Sequence, residues 1–148
     1  MIASGRPPPS ARSVARTLSR WLGRPASADH LGHSARFAFA AFFIAAGLAH
    51  FLVPGPFVAH LPSGLPGRQP IVSATGALEI ALAGALLIVR PPRRRAIATL
   101  IALYLVAVFP GNLYVAVAQI PVYPSPWMAW ARLPLQPLFI LWALRAGR

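Results

Sequence analysis

The sequence predicts an all-α membrane protein: a four-helix transmembrane bundle, both termini cytoplasmic, preceded by a basic amphipathic N-terminal arm. Three observations predict it. Apolar residues make up 57% of the 148-residue chain and charged ones only 11%, which is more apolar surface than one soluble core of this size hides. Four apolar stretches approach the roughly 20 helical residues that cross a bilayer core. The fourteen basic residues are all arginines, for a formal charge of +12, and most of them flank the apolar stretches. That placement favours a lipid bilayer as the partner of this basic chain and argues against nucleic acid, for which no interleaved aromatic platform is present.

The elements follow in order. Residues 1–34 form a Pro/Arg-rich arm. Within it, 10–24 (SARSVARTLSRWLGR) places Arg12, Arg16 and Arg20 one turn apart, with Val14, Leu18, Trp21 and Leu22 on the other side. A helix of this kind lies on an anionic leaflet; the alternative is a disordered basic tail, and the two readings stand equal. The prolines at 7–9 and the run GRPASADHLGH at 23–33 read as loop. The membrane domain, 35–148, holds spans at about 35–53, 71–89, 96–118 and 127–144. Between them lie a Pro/Gly-rich loop (54–70), the turn RPPRRR (90–95) and the loop QIPVYPSP (119–126), all built of helix-stopping residues.

Arginine placement sets the orientation. Arg6, Arg12, Arg16, Arg20, Arg24, Arg36, Arg90, Arg93, Arg94, Arg95, Arg145 and Arg148 fall on one side, whereas the other connections hold only Arg68, and Arg132 lies inside a span. The positive-inside rule puts the first group in the cytoplasm, and an even number of spans agrees. Tyr123, Trp127 and Trp130 then mark the outer interface and Trp142 the inner one. The location expected is the bacterial cytoplasmic (inner) membrane.

Function is sought among the polar residues within the spans. The chain has two carboxylates, Asp29 and Glu79, and Glu79 sits in the run GALEIALAGALL. At helical rise it lies about 12 Å below the outer edge. His50, Asn112, Arg132 and Gln136 also fall in the outer half. Arg132 is within about one turn of the depth of Glu79, and a guanidinium holds a carboxylate bidentately, so the two are expected to pair. Such a pair is either part of a site or a device that docks the second span on the fourth. Pro110 removes the helical donor of the Val106 carbonyl, and Pro134 and Pro137 those of Trp130 and Leu133, so spans three and four are expected to kink beside Asn112 and Gln136. The small residues Ala41, Ala45 and Ala49, and Ala77, Ala81 and Ala85 with Gly76 and Gly84, predict close packing of spans one and two.

The segments AGLAHFLVPGPFVAHLPSGLP (46–66), GALEIALAGALLI (76–88), VFPGN (108–112) and RLPLQ (132–136) together resemble the DoxX family of small four-helix membrane proteins. The resemblance covers about residues 37–145; FPGN stands where relatives often have FPAN. It implies that His50, Glu79, Asn112, Arg132 and Gln136 occupy the family's recurrent polar positions. It also implies association with terminal-oxidase and thiosulfate-to-quinone electron transfer, methylamine utilisation or oxidative-stress complexes.

Two function classes result. In the first, the protein is a subunit of, or accessory to, a quinone-linked membrane redox system, with other redox subunits as partners. His50 and Glu79 handle protons there, while Arg132, Asn112 and Gln136 donate hydrogen bonds to a quinone head or a small polar substrate. In the second, it is a non-enzymatic scaffold or a small proton-coupled transporter. The chain has no Cys, which rules out disulfides, thiolate metal sites and thiol redox chemistry by its own residues. No metal is expected, because His50 and Glu79 are too few ligands and His60 adds little.

Overall fold

Six helices occupy the residues that the computed structural model describes, 26–148, with side chains described from residue 32 onward. They are α1 (Ala26–Leu52), α2 (Pro54–Val58), α3 (Arg68–Ile88), α4 (Arg93–Val117), α5 (Pro126–Arg132) and α6 (Leu135–Ala146), and no strand occurs among the described residues. The described side chains belong to one compact unit, Gly32–Arg148. The amphipathic segment 10–24 lies outside the described residues.

Among the described residues three helices are long and apolar enough to cross a membrane: Gly32–Leu52 of α1, all of α3 and all of α4. Their outward side chains are apolar as well. Leu52 is 78% exposed, Ile88 82% and Leu103 60%, a surface suited to hydrocarbon and costly in water. The helix α1 begins at Ala26, not near residue 35. The run 23–33 reads as loop because it is polar, yet between Pro25 and the apolar stretch it holds no further proline, and its one glycine, Gly32, costs a helix only about 1 kcal/mol.

The fourth apolar stretch is two helices instead of one. Proline at 134 cannot donate its N–H, and α5 stops at Arg132 before α6 restarts at Leu135. The carbonyls orphaned by the prolines find new donors. Leu133 N–H donates to the Trp130 carbonyl at 3.1 Å, and Gln136 N–H to the Leu133 carbonyl at 3.2 Å, a tighter turn that keeps the backbone satisfied. Pro137 falls in the first turn of α6, where a missing N–H costs no helical bond. By contrast α4 runs on through Pro110 as one helix.

Packing divides the unit into two halves. Toward the Arg-rich connection 90–95 lies the dry core: Phe39, Ala40 and Phe43 of α1, Ala83 and Leu86 of α3, Ala98, Ile101 and Leu105 of α4, and Ala143 and Ala146 of α6. Phe39 meets Trp142 edge-on at 5.3 Å between centroids. Helix α4 packs against both α3 and α6 and so holds the fold together. The contact between α1 and α3 is made by two glycines. A Cβ at Gly47 would stand 2.7 Å from the Gly76 carbonyl oxygen, and one at Gly76 would stand 2.6 Å from the His50 Cβ. The expected alanine stripes do not form this seam, since Ala41, Ala45, Ala77 and Ala81 are exposed. Only a residue without a side chain permits so close an approach. Beyond it the other half opens, roofed by α2 and the loop that ends at Gly67, whose φ of 70° is in the left-handed region that glycine tolerates.

Candidate functional site

The open half contains a cavity of about 680 Å³, and all five residues expected to form a site, His50, Glu79, Asn112, Arg132 and Gln136, line it. Aromatic and aliphatic groups make up most of the remaining wall, among them Phe43, Phe57, Val72 and Phe139. A smaller recess of about 140 Å³ shares Asn112, Arg132 and Gln136 with it.

Each polar group is placed by its helix. The buried face of α3 carries Val72, Gly76, Glu79 and Ala83, so Glu79 points inward one turn from the glycine seam. Glu79 is 7% exposed. Its Oε1 accepts a hydrogen bond from the Tyr104 hydroxyl at 2.7 Å, whereas its Oε2 is buried with no hydrogen-bond partner. The Nδ1 of His50 lies 3.6 Å from that Oε2 and 2.8 Å from the Ala46 carbonyl oxygen. A carbonyl only accepts, so Nδ1 carries a proton and donates it to Ala46. The ring of Phe57 stacks on this imidazole with centroids 3.8 Å apart.

The expected pair of Glu79 with Arg132 does not form. Glu79 is engaged by Tyr104 and His50, and Arg132 places its guanidinium 5.3 Å from the centroid of the Tyr123 ring. The reason lies in packing order and in the chain break. Helix α3 packs on α4, which brings Tyr104 to the carboxylate, and the stop at Leu133 leaves Arg132 exposed at the end of α5. The docking of the second on the fourth span by an ion pair falls with it.

Asn112 and Gln136 join the two halves of the wall. Gln136 donates through Nε2 to the Leu105 carbonyl, and its Oε1 accepts from Asn112 Nδ2 at 3.3 Å. The bond is to the carbonyl one residue before the Val106 oxygen that Pro110 leaves without its helical donor. At the mouth, the Tyr123 hydroxyl donates to His60 Nε2 at 3.3 Å, and His60 Nδ1 donates to the Pro56 carbonyl at 2.7 Å. Burial pushes the Tyr123 phenol up, so it remains a donor at neutral pH. Burial lowers the His60 pKa; the Pro56 carbonyl opposes this, and the charge of Arg132 adds to the lowering.

Sequence reasoning missed Tyr104. Its signal was a hydroxyl in the middle of an apolar span, at a depth the antiparallel Glu79 helix could match. Among the described residues no three His, Cys, Asp or Glu side chains come together.

Residues 39–147 match the model of a family described as "Domain of unknown function (DUF8561)". The chain belongs to this family. The DUF8561 match takes in every helix from the core of α1 to the end of α6 and hence the whole cavity. It overturns the resemblance to DoxX, which rested on short strings at helix ends and around prolines. Any small bundle of four short spans must put Gly, Pro and a few polar residues at such places, so these strings recur without kinship. No curated protein and no solved structure matches the chain.

Proposed function

We propose that this DUF8561 protein is an integral membrane protein of four spans, with α5 and α6 together forming the fourth. Both termini lie on the cytoplasmic side, and the cavity in the outer half binds a lipid-soluble molecule with a hydrogen-bonding head. A quinol or quinone is the class that fits. The observation that carries this reading is that Glu79, with its Oε2 buried and without a hydrogen-bond partner, is among the residues lining an otherwise mainly apolar cavity. A buried carboxylate oxygen without a donor is costly, and a hydroxyl of a quinol head would supply one.

The rest of the lining supports the same class. A cavity of about 680 Å³ is of the size that takes a ring and the start of an isoprenoid tail. Donors for a second oxygen are available from the guanidinium of Arg132, which is in no ion pair among the described residues. His50 stands beside Glu79 with its Nδ1 3.6 Å from Oε2, a second group able to hold a proton there. The chain's own residues thus bind, orient and hold a proton. Electron transfer belongs to the bound molecule and to whatever partner exchanges electrons with it.

The test is recovery of ligand. Purified in mild detergent, wild type is expected to carry quinone at several times the molar ratio found with Glu79→Gln, measured by extraction and chromatography. Equal recovery from the two, or none from either, would overturn the assignment. Proton uptake by liposomes driven by a solute gradient, and abolished in Glu79→Gln, would replace it with proton-coupled transport.

A further inference from the structure

At the Arg-rich end of the bundle, away from the cavity, a positive charge is buried without a counter-charge. Arg36 lies one turn before Phe39 and Ala40 and is itself only 9% exposed. Its Nε is buried with no hydrogen-bond partner, and its guanidinium sits 5.2 Å from the centroid of the neighbouring Phe37 ring. Helix α6 is tied to the preceding residue, because Trp142 Nε1 donates to the Ala35 carbonyl at 3.0 Å. Arg94, in the first turn of α4, donates from Nε to the Val89 carbonyl at 3.0 Å, and the positive charge of Arg36 acts unfavourably on it. The end of α6 closes on the same place: a Cβ at Gly147 would stand 3.4 Å from the Arg94 carbonyl oxygen. Among the described residues no arginine forms an ion pair, and Glu79, the one side-chain carboxylate, is engaged in the opposite half.

A buried guanidinium with a free N–H and a like-charged neighbour requires an anion. Guanidinium groups bind tetrahedral oxyanions through paired N–H donors, so two of them at one end of the bundle favour phosphate over a halide. The position agrees with the headgroup level of a bilayer, at the helix ends just beyond the dry core. Exposed apolar side chains flank it, Phe37 at 56% and Ile88 at 82%, and these offer a surface on which acyl chains can lie. We propose that Arg36 and Arg94 form a binding site for a phosphate group, carried by an anionic phospholipid of the adjacent leaflet. The site is separate from the cavity, and its test does not involve the cavity ligand.

The experiment measures thermal unfolding of the full-length protein in delipidated detergent micelles during three titrations. The probes are dioleoyl phosphatidylglycerol, dioleoyl phosphatidylcholine, and inorganic phosphate with chloride at matched ionic strength as its control. Wild type is expected to show saturable stabilisation by phosphatidylglycerol that phosphatidylcholine does not match. Arg36→Gln should weaken the apparent affinity about tenfold or more, as loss of a charged hydrogen bond implies. Arg95→Gln removes the same charge from an exposed position and should keep most of the gain. Stabilisation by inorganic phosphate alone, lost in Arg36→Gln, would support the site while making free phosphate its source. If Arg36→Gln does not fold, Arg94→Gln gives the same readout. Equal stabilisation by both lipids with no effect of phosphate, or an undiminished phosphatidylglycerol effect in both Arg36→Gln and Arg94→Gln, would overturn the proposal.

Discussion

Single residues show how little of a site depends on its charged members alone. Glu79 was conspicuous because a carboxylate in an apolar run must be satisfied somehow, and the same reasoning singled out His50, Asn112, Arg132 and Gln136. The partner of Glu79 was not legible, because a tyrosine in a span reads as an apolar ring until its hydroxyl is seen 2.7 Å from Oε1. His60 offers the sharpest check at this scale. Burial and the Arg132 charge hold its pKa below the ordinary 6.5. The fold therefore favours the neutral ring. Above pH 6.5 both folded and unfolded chains are neutral here and the full contribution is present. As pH falls below 6.5 the unfolded chain takes up the proton first, and stability is lost down to the folded midpoint. An NMR titration of labelled histidine in micelles should give His60 a midpoint below 6.5, and Arg132→Ala should move it upward. An unmoved midpoint would mean that the guanidinium does not face the mouth.

Helices were legible where hydropathy acts and illegible where it does not. The centres of α1, α3 and α4 follow from length and apolar content, but the start of α1 at Ala26 lies in polar sequence that a helix tolerates. The depth assigned to Arg132 was counted from Trp127 inside what is one helix, α5; what the sequence did not show is that this helix ends at Arg132 and that the side chain turns to the Tyr123 ring. The seam between α1 and α3 was hidden for another reason. Helices this rich in alanine present several small stripes, and nothing in the pattern tells which of them faces a neighbour. The glycines make a direct test. Gly76→Ala forces a Cβ to within 2.6 Å of the His50 Cβ and 2.8 Å of the Gly47 carbonyl oxygen, and should destabilise by about 1–3 kcal/mol. Gly84→Ala, on the same helix, meets nothing within 4 Å and should stabilise by about 0.5–1 kcal/mol through lower backbone entropy in the unfolded chain. Thermal unfolding of the two variants in detergent should shift in opposite directions; a matching shift would mean that α1 and α3 do not meet at these glycines.

For the whole molecule the arginines and the cavity form one asymmetry. Arg90, Arg93, Arg94, Arg95, Arg145 and Arg148 gather at one end with the dry core, while Arg68 and Arg132 stand at the other with the cavity and its roof. Translocating a loop that carries four arginines is far less favourable than translocating one that carries a single Arg68, so the cavity end should cross to the outside. The absence of cysteine from the chain makes this measurable without background. Ser63→Cys lies in the exposed loop between α2 and α3, and Arg148→Cys leaves the cluster at 90–95 intact. A membrane-impermeant maleimide should label Ser63→Cys in intact cells and Arg148→Cys only after permeabilisation. The reverse pattern would turn the cavity to the cytoplasm. It would also move the phosphate site of Arg36 to the outer leaflet, so that any proton released by a ligand at Glu79 would return to the cell interior instead of leaving it.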